Sequence, residues 1–236
     1  MKGNLLIAYE FDFPDGHKRS YEICLDRKKM NLIPYPKPQI SEWTNLDYHQ
    51  CGHCPSKKED SPQCPITVNL EQLVDFFKDE ISHKRCTVKV ITEQRTYLQE
   101  LSVQEGLYSI FGLVMATSGC PHMKFLKPMA YFHLPFSSVE ETIVRTISLY
   151  LLKQYFIWKS EGEPDWNLKK LEQHYQNVRQ VNQGILKRIR SLSKKGDADL
   201  NALVILDDFA LNLDLEISMG LEEYKNIFLD ATYDEE

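Results

Sequence analysis

The chain has 236 residues and a mass of 27.6 kDa, with 42% hydrophobic and 26% charged residues, a composition typical of globular proteins. This length is enough for a hydrophobic core that needs no metal to fold. The net charge of −6 gives no general attraction to nucleic acid or to anionic lipid, so we expect neither as a partner. Apolar stretches are too short for a membrane span, and the N-terminal one is too short for a secretory signal, so we expect a cytoplasmic protein.

The first elements along the chain are predicted to be strands. Apolar residues alternate from Leu5 to Phe13, the turn residues Pro14 to Gly16 follow, and Arg19–Leu25 completes a β-hairpin. A third short strand is predicted around Met30–Pro34. Further along the chain, two more strands are predicted at Cys86–Ile91 and Thr96–Leu101.

The remaining elements are predicted to be helices. One helix should start from an Asn69 cap and run to about Ser82. Capping boxes at Ser102 and Ser138 predict two more helices, the first ending at a glycine C-cap at Ser118-Gly119 and the second ending before Gly162. Two further stretches predict a second long amphipathic helix and then one or two helices broken near Asn212–Asp214 or Gly220: residues 168–192 and 200–228.

These elements predict an α+β fold. A β-hairpin or small antiparallel sheet, with helices and a cysteine-rich loop, should precede a C-terminal helical bundle. We expect residues 1–136 to form an α+β lobe, which holds the cysteine-rich loop and is therefore the candidate metal-binding lobe. Residues 137–236 should form a helical lobe packed on it, or both parts should form one integrated domain. One basic run is interpreted as a solvated helix face near a helix end: Lys187, Arg188, Arg190, Lys194 and Lys195.

Cysteines concentrate in two segments that lack periodicity, residues 49–65 and 120–136. Cys51 and Cys54 are spaced so that a tight turn aims both sulfurs at one ion, and Cys64 follows after nine residues. The nearest source of a fourth ligand is Cys120. Since disulfides are rare in the cytoplasm, the clustered cysteines predict a metal site formed by Cys51, Cys54, Cys64 and Cys120.

Histidines near these segments extend the candidate site. His122 is the best histidine candidate for a ligand, and His53 or His49 would complete a local site if Cys120 were remote. If the four cysteines close the site, His122 and His133 are expected to lie in its second shell or in a pocket. Cys86 and Cys24 are interpreted as structural residues of their strands.

Four thiolates suit zinc, and an iron–sulfur cluster is the alternative. Three of the four cysteines precede proline, which also occurs beside ferredoxin cluster ligands, but the spacings match neither ferredoxin pattern. Zinc is therefore favoured. The sequence contains no phosphate loop, nucleophile elbow, zincin motif or Rossmann fingerprint, so no catalytic residue is assigned and the question of enzyme activity stays open.

The chain resembles a family of uncharacterised bacterial proteins of unknown function. The resemblance rests on the C-x2-C-P loop at Cys51, on Cys64-Pro65 and on the segment Met115–His122, and it extends through Phe132–Phe136 and Leu151–Phe156. It implies a bacterial setting and the grouping of the four cysteines with His122. It implies no mechanism.

The function expected from these features is that of a cytoplasmic zinc-binding protein with a structural or sensory role. The alternatives are an iron–sulfur or thiol-based redox protein that uses the same cysteines, and a helical partner-binding module without activity. The C-terminal helices are a candidate surface for a homodimer or a protein partner. In the partner-binding alternative, Asn182 in the apolar stripe would specify the pairing of helices.

Overall fold

The computed structural model describes residues 3–34, 40–192 and 195–229. The fold is α+β, as predicted: a five-stranded antiparallel sheet in the N-terminal half is combined with helices, and the described residues from Val139 to Phe228 are mostly helical. Among these described residues, no helix is both long enough and apolar enough to cross a membrane.

The sheet is built around the predicted hairpin. Strands β1 (Asn4–Asp12) and β2 (Lys18–Asp26) pair antiparallel, and every second side chain of β1 is buried. Strand β3 (Asn31–Leu32) joins the outer edge of β2, while β4 (Arg85–Ile91) pairs with β1 and β5 (Thr96–Ser102) pairs with β4. The strand order is therefore β3-β2-β1-β4-β5.

Seven α-helices are found within the described ranges. Both predicted capping boxes are present, and Gly119 and Gly220 have the positive φ angles that suit a chain leaving a helix. The helices are α1 (Pro65–Phe77), α2 (Val103–Thr117), α3 (Lys127–Tyr131), α4 (Val139–Lys159), α5 (Lys169–Arg190), α6 (Ala198–Ser218) and α7 (Glu222–Phe228).

The predicted bounds of α1 are wrong at both ends. The helix begins at Pro65 because proline suits the first helical position, and the side chain of Asn69 lies inside it, donating to the carbonyl of Pro65 at 2.7 Å. The helix ends early because the chain beyond it bonds to the segment before α6 instead. The carbonyl of Lys78 accepts from the amide of Gly196 at 2.9 Å, a tertiary contact that local pattern does not reveal.

The segment that follows α2 is also more regular than predicted. A 3₁₀ helix, Pro121–Leu126, leads directly into α3, so only the last part of residues 120–136 is irregular. The ring of Phe125 stacks on that of His174 at 4.7 Å, which fixes this segment against α5. The second cysteine segment, residues 120–136, therefore packs against α5 in the C-terminal half of the chain.

The hydrophobic core includes side chains from the sheet and from all of the long helices. Helix α6 packs against both α5 and α2, and Asn182 is buried within this helical layer, at 1% exposure. The division of the chain into lobes at residue 136 stays a prediction. Cys86 is buried, which confirms its structural interpretation, and Cys24 is half-buried.

The interpretation of the basic run as a solvated face is wrong for Arg188. Its neighbours Lys187, Arg190 and Lys195 are exposed, but Arg188 is only 1% exposed. The remaining member, Lys194, lies outside the described residues. Arg188 occupies a place in the apolar stripe of α5, and its guanidinium group is directed at backbone carbonyls rather than at water.

Candidate metal centre

Cys64 and Cys120 are placed by the start of a helix. Cys64 is the N-cap of α1 with Pro65 at the first position, and its backbone amide donates to the carbonyl of Thr44 at 2.8 Å. Cys120 precedes the 3₁₀ helix in the same way, with Pro121 following. Each of these two cysteines therefore lies beside the N-terminus of a helix, which carries a partial positive charge.

Cys51 and Cys54 lie on one tight turn. The backbone amide of Cys54 donates to the carbonyl of Cys51 at 2.9 Å, which closes the loop around Gly52 and His53. An isolated bridge between Asn45 and Gln63 closes the base of the longer loop. The predicted turn of the C-x-x-C motif is therefore present.

The four predicted thiols are neighbours, and we call Cys51, Cys54, Cys64 and Cys120 the thiol cluster. The pKa of Cys51 is raised to about 11, mainly by burial and in smaller part by the nearby thiols of Cys64 and Cys54. Burial likewise raises the pKa of Cys120 to about 11, with Cys64 and Cys51 contributing in the same direction. Cys120 is therefore close enough to the loop cysteines to interact with them electrostatically.

The thiol cluster does not stand in a metal-binding arrangement. Within the described ranges, no group of three or more His, Cys, Asp or Glu side chains is positioned so that it could hold a metal ion. All six cysteines are free thiols, and the raised pKa values keep Cys51 and Cys120 protonated at neutral pH. Metal binding at this place requires loss of the thiol protons and rotation of the side chains toward one another.

His53 and His122 join the two cysteine segments. Their rings lie 4.2 Å apart between centroids, and Nε2 of His122 donates to the backbone carbonyl of His53 at 3.0 Å. His53 in turn donates from Nε2 to the carbonyl of Asn177 on α5, at 3.2 Å. Nε2 is thus the donor in both bonds, and Nδ1 of His53 is buried without a hydrogen-bond partner.

Helix α5 forms the wall behind the loop. An added Cβ at Gly184 would lie 2.5 Å from Sγ of Cys51, so this sulfur lies directly against the helix backbone. The hydroxyl of Tyr48 bonds to that of Ser191 at 2.7 Å. The contact positions recur at helical spacing on one face of α5: Asn177, Gly184, Arg188 and Ser191.

Arg188 anchors the chain that enters the cysteine loop. Its Nη1 donates to the carbonyls of Trp43 and Asn45 at 2.8 and 2.7 Å, and its Nη2 donates to the carbonyl of Leu46 at 2.9 Å. Its charge opposes the effect of burial on the pKa of Cys51, and its Nε is buried without a hydrogen-bond partner. The sequence contained one signal of this role, a basic residue at an apolar position of the stripe.

The other two predicted histidines lie elsewhere. His49 is exposed, with a φ angle of +48°, and its ring contacts that of Tyr48. His133 bonds through Nε2 to the hydroxyl of Tyr9 at 2.5 Å and lines two cavities whose walls include none of the four cysteines. Of its two expected roles, the position of His133 fits the pocket.

The fold and the site define an α+β protein in which two cysteine segments meet against a helix. The chain belongs to the family described as Domain of unknown function (DUF6901), whose profile matches residues 7–229. No curated protein and no solved structure matches the chain. Membership of a family of unknown function is thus confirmed, while the cysteine pattern as a mark of that family stays a prediction.

Proposed function

We propose that this protein binds one zinc ion through the thiol cluster and that the ion serves a structural or sensory role in the bacterial cytoplasm. The observation that carries the proposal is the meeting of two cysteine segments that are distant in sequence. Cys51, Cys54 and Cys64 interact with one another or with Cys120, and His122 is hydrogen-bonded to the loop of the first pair.

The surroundings of the cluster suit a thiolate-bound ion. Four thiolates and one Zn²⁺ carry a net charge of −2, and burying this charge is costly unless cations and hydrogen-bond donors lie nearby. Arg188 is a buried cation next to Cys51, and its unused Nε–H is a donor of the kind that metal-bound sulfurs accept. The positive ends of the helices that follow Cys64 and Cys120 act in the same direction.

The histidines offer an alternative ligand from the same place. Ligating histidines characteristically donate their second ring N–H to a backbone carbonyl, and both His53 and His122 make such a bond. A site of three thiolates and one histidine Nδ1 is therefore open to this chain without refolding of the loop. In the four-thiolate site, the same two histidines support the loop from outside the ligand set.

A low-pKa redox thiol is less compatible with these surroundings. Reactive cysteines have a lowered pKa, whereas burial raises the pKa of Cys51 and of Cys120 to about 11. An iron–sulfur cluster uses the same ligands as zinc and is distinguished from it by the metal itself.

The test is elemental analysis, with an absorption spectrum, of protein purified without oxygen. We expect a colourless protein with about one zinc per chain, and loss of the metal in Cys51→Ser and in Cys120→Ser. Cys24→Ser is the matched control, because Cys24 is half-buried on β2 and should leave the metal content unchanged. A brown protein that contains iron would show that the site holds an iron–sulfur cluster instead of zinc. Unchanged metal content in the double variant Cys51→Ser, Cys120→Ser would overturn the proposal.

We also propose that the helical half pairs with a second copy of the chain through the end of α4. Exposed Lys159 and Glu163 flank an apolar surface there, and a patch with both charges suits pairing with its own copy. The light-scattering mass at several concentrations should rise toward twice 27.6 kDa, and should stay at one chain in Phe156→Glu. A concentration-independent single-chain mass would contradict pairing. The exposed apolar side chains are Leu152, Tyr155, Phe156, Trp158 and Trp166.

A further inference from the structure

A cavity of about 410 Å³ lies at one end of the sheet, away from the thiol cluster. Its walls come from β1, from the chain directly after β2, from the turn between β4 and β5, from α4, and from the segment after α3, which contributes Phe132 and His133. Leu5 and Ile7 supply apolar wall surface. The cavity thus has the size and the mixed lining of a small-molecule site.

The charged residues that line this cavity are all cationic. Arg27, Arg95 and Arg145 lie in its walls, and no Asp or Glu does so among the described residues. Arg27 is paired with Glu93. Neither Arg95 nor Arg145 has a described carboxylate within 4 Å.

Arg145 is the most significant of the three. It is half-buried, and burial lowers its pKa. Nearby tyrosines and Glu141 act in the opposite direction but offset the effect of burial only in part. Its Nε has no described hydrogen-bond partner, and its Nη1 makes only a long bond of 3.5 Å to the carbonyl of Leu134. Guanidinium groups are strongly suited to bind carboxylate or phosphate oxygens in pairs, and here this capacity is largely unused.

His133 adds an uncharged ring to the same cavity. The pKa of His133 is lowered to about 3, mainly by burial and in smaller part by the charge of Arg145, so the ring is uncharged at neutral pH. Burial raises the pKa of Tyr9, so its hydroxyl keeps its proton, and this hydroxyl is hydrogen-bonded both to Nε2 of His133 at 2.5 Å and to the hydroxyl of Ser109 at 3.0 Å.

We propose that this cavity binds a small organic anion, with an oxyanion head of the carboxylate or phosphate class and an apolar body. Arg145 and Arg95 bind the head, and the uncharged ring of His133 lines the same cavity. Leu5, Ile7 and the ring of Phe132 contact the body. The site is independent of the metal centre, because none of its lining residues belongs to the thiol cluster.

Isothermal titration of the full chain with octanoate, phenyl phosphate and inorganic phosphate tests the proposal. We expect either octanoate or phenyl phosphate to bind more tightly than inorganic phosphate, which identifies the head group and shows that the apolar body contributes. Arg145→Gln and Arg95→Gln should each weaken binding about tenfold or more, since each removes a charge-assisted hydrogen bond. Arg190→Gln, at an exposed position on α5, should leave binding unchanged.

Two kinds of result would overturn the proposal. The first is that the wild-type chain binds neither organic anion, or binds inorganic phosphate equally well. The second is that Arg95→Gln binds like the wild type. This variant is decisive even if Arg145→Gln fails to fold, because Arg95 is exposed in a turn and its side chain supports no packing.

Discussion

Replacement of Arg188 by Met should destabilise the protein by about 3–5 kcal/mol. The side chain is 1% exposed and makes three hydrogen bonds of 2.7–2.9 Å to the carbonyls of Trp43, Asn45 and Leu46. Bonds from a charged donor contribute roughly 1.5–3 kcal/mol each, and their loss is offset in part because the buried guanidinium no longer has to be desolvated. Met keeps the unbranched stem as far as the position of Nε but lacks the guanidinium group, so the cost reflects chiefly the carbonyls that are left unsatisfied.

Urea unfolding of wild type, Arg188→Met and the control Arg190→Gln measures this cost. The control removes an exposed arginine two residues further along α5 and should change the free energy of unfolding by less than about 0.5 kcal/mol. Arg188→Met should also weaken zinc binding, because the chain that enters the cysteine loop loses its anchor on α5. A change below about 1 kcal/mol in Arg188→Met would refute the view that this residue holds the loop.

Three further predictions concern acid and buried polar groups. His133 is neutral when folded, with a pKa of about 3, but titrates near 6.5 when unfolded, so stability should fall as pH drops below about 6.5; urea midpoints of His133→Gln should vary less with pH. The zinc affinity of the thiol cluster should also decrease as the pH is lowered, because zinc binding releases thiol protons. Competition with a chromophoric chelator at several pH values measures this affinity, and a pH-independent affinity would contradict thiolate ligands. Asp165→Ala should cost about 2–3 kcal/mol in urea unfolding, since this buried carboxylate accepts from Tyr150 at 2.8 Å and from the amide of Lys170 at 2.9 Å; an unchanged midpoint would count against it.

Sequence patterns predicted the elements whose signals are local. The alternation from Leu5 to Phe13 gave the first strand, and the capping boxes at Ser102 and Ser138 gave two helix starts because their bonds span only three residues. The end of α1 was not predictable in this way. Residues 78–82 leave the helix to bond with the chain around Gly196, more than a hundred residues away.

The site was predictable in its cysteines but not in its supports. The spacing of Cys51 and Cys54 indicated a shared turn, whereas the meaning of Cys64-Pro65 as a helix start was missed because Asn69 offered a competing cap. Arg188 was misinterpreted because a basic residue near a helix end is usually solvated. Only the fold shows that the face of α5 with Gly184 is covered by the loop.

X-ray absorption at the zinc edge of the purified protein tests the central claim most directly, since it counts sulfur and nitrogen neighbours. The account predicts four sulfur ligands at about 2.3 Å, or three with one nitrogen at about 2.0–2.1 Å, and loss of a sulfur in Cys120→Ser. Protein without bound metal, or zinc surrounded only by nitrogen and oxygen, would contradict it.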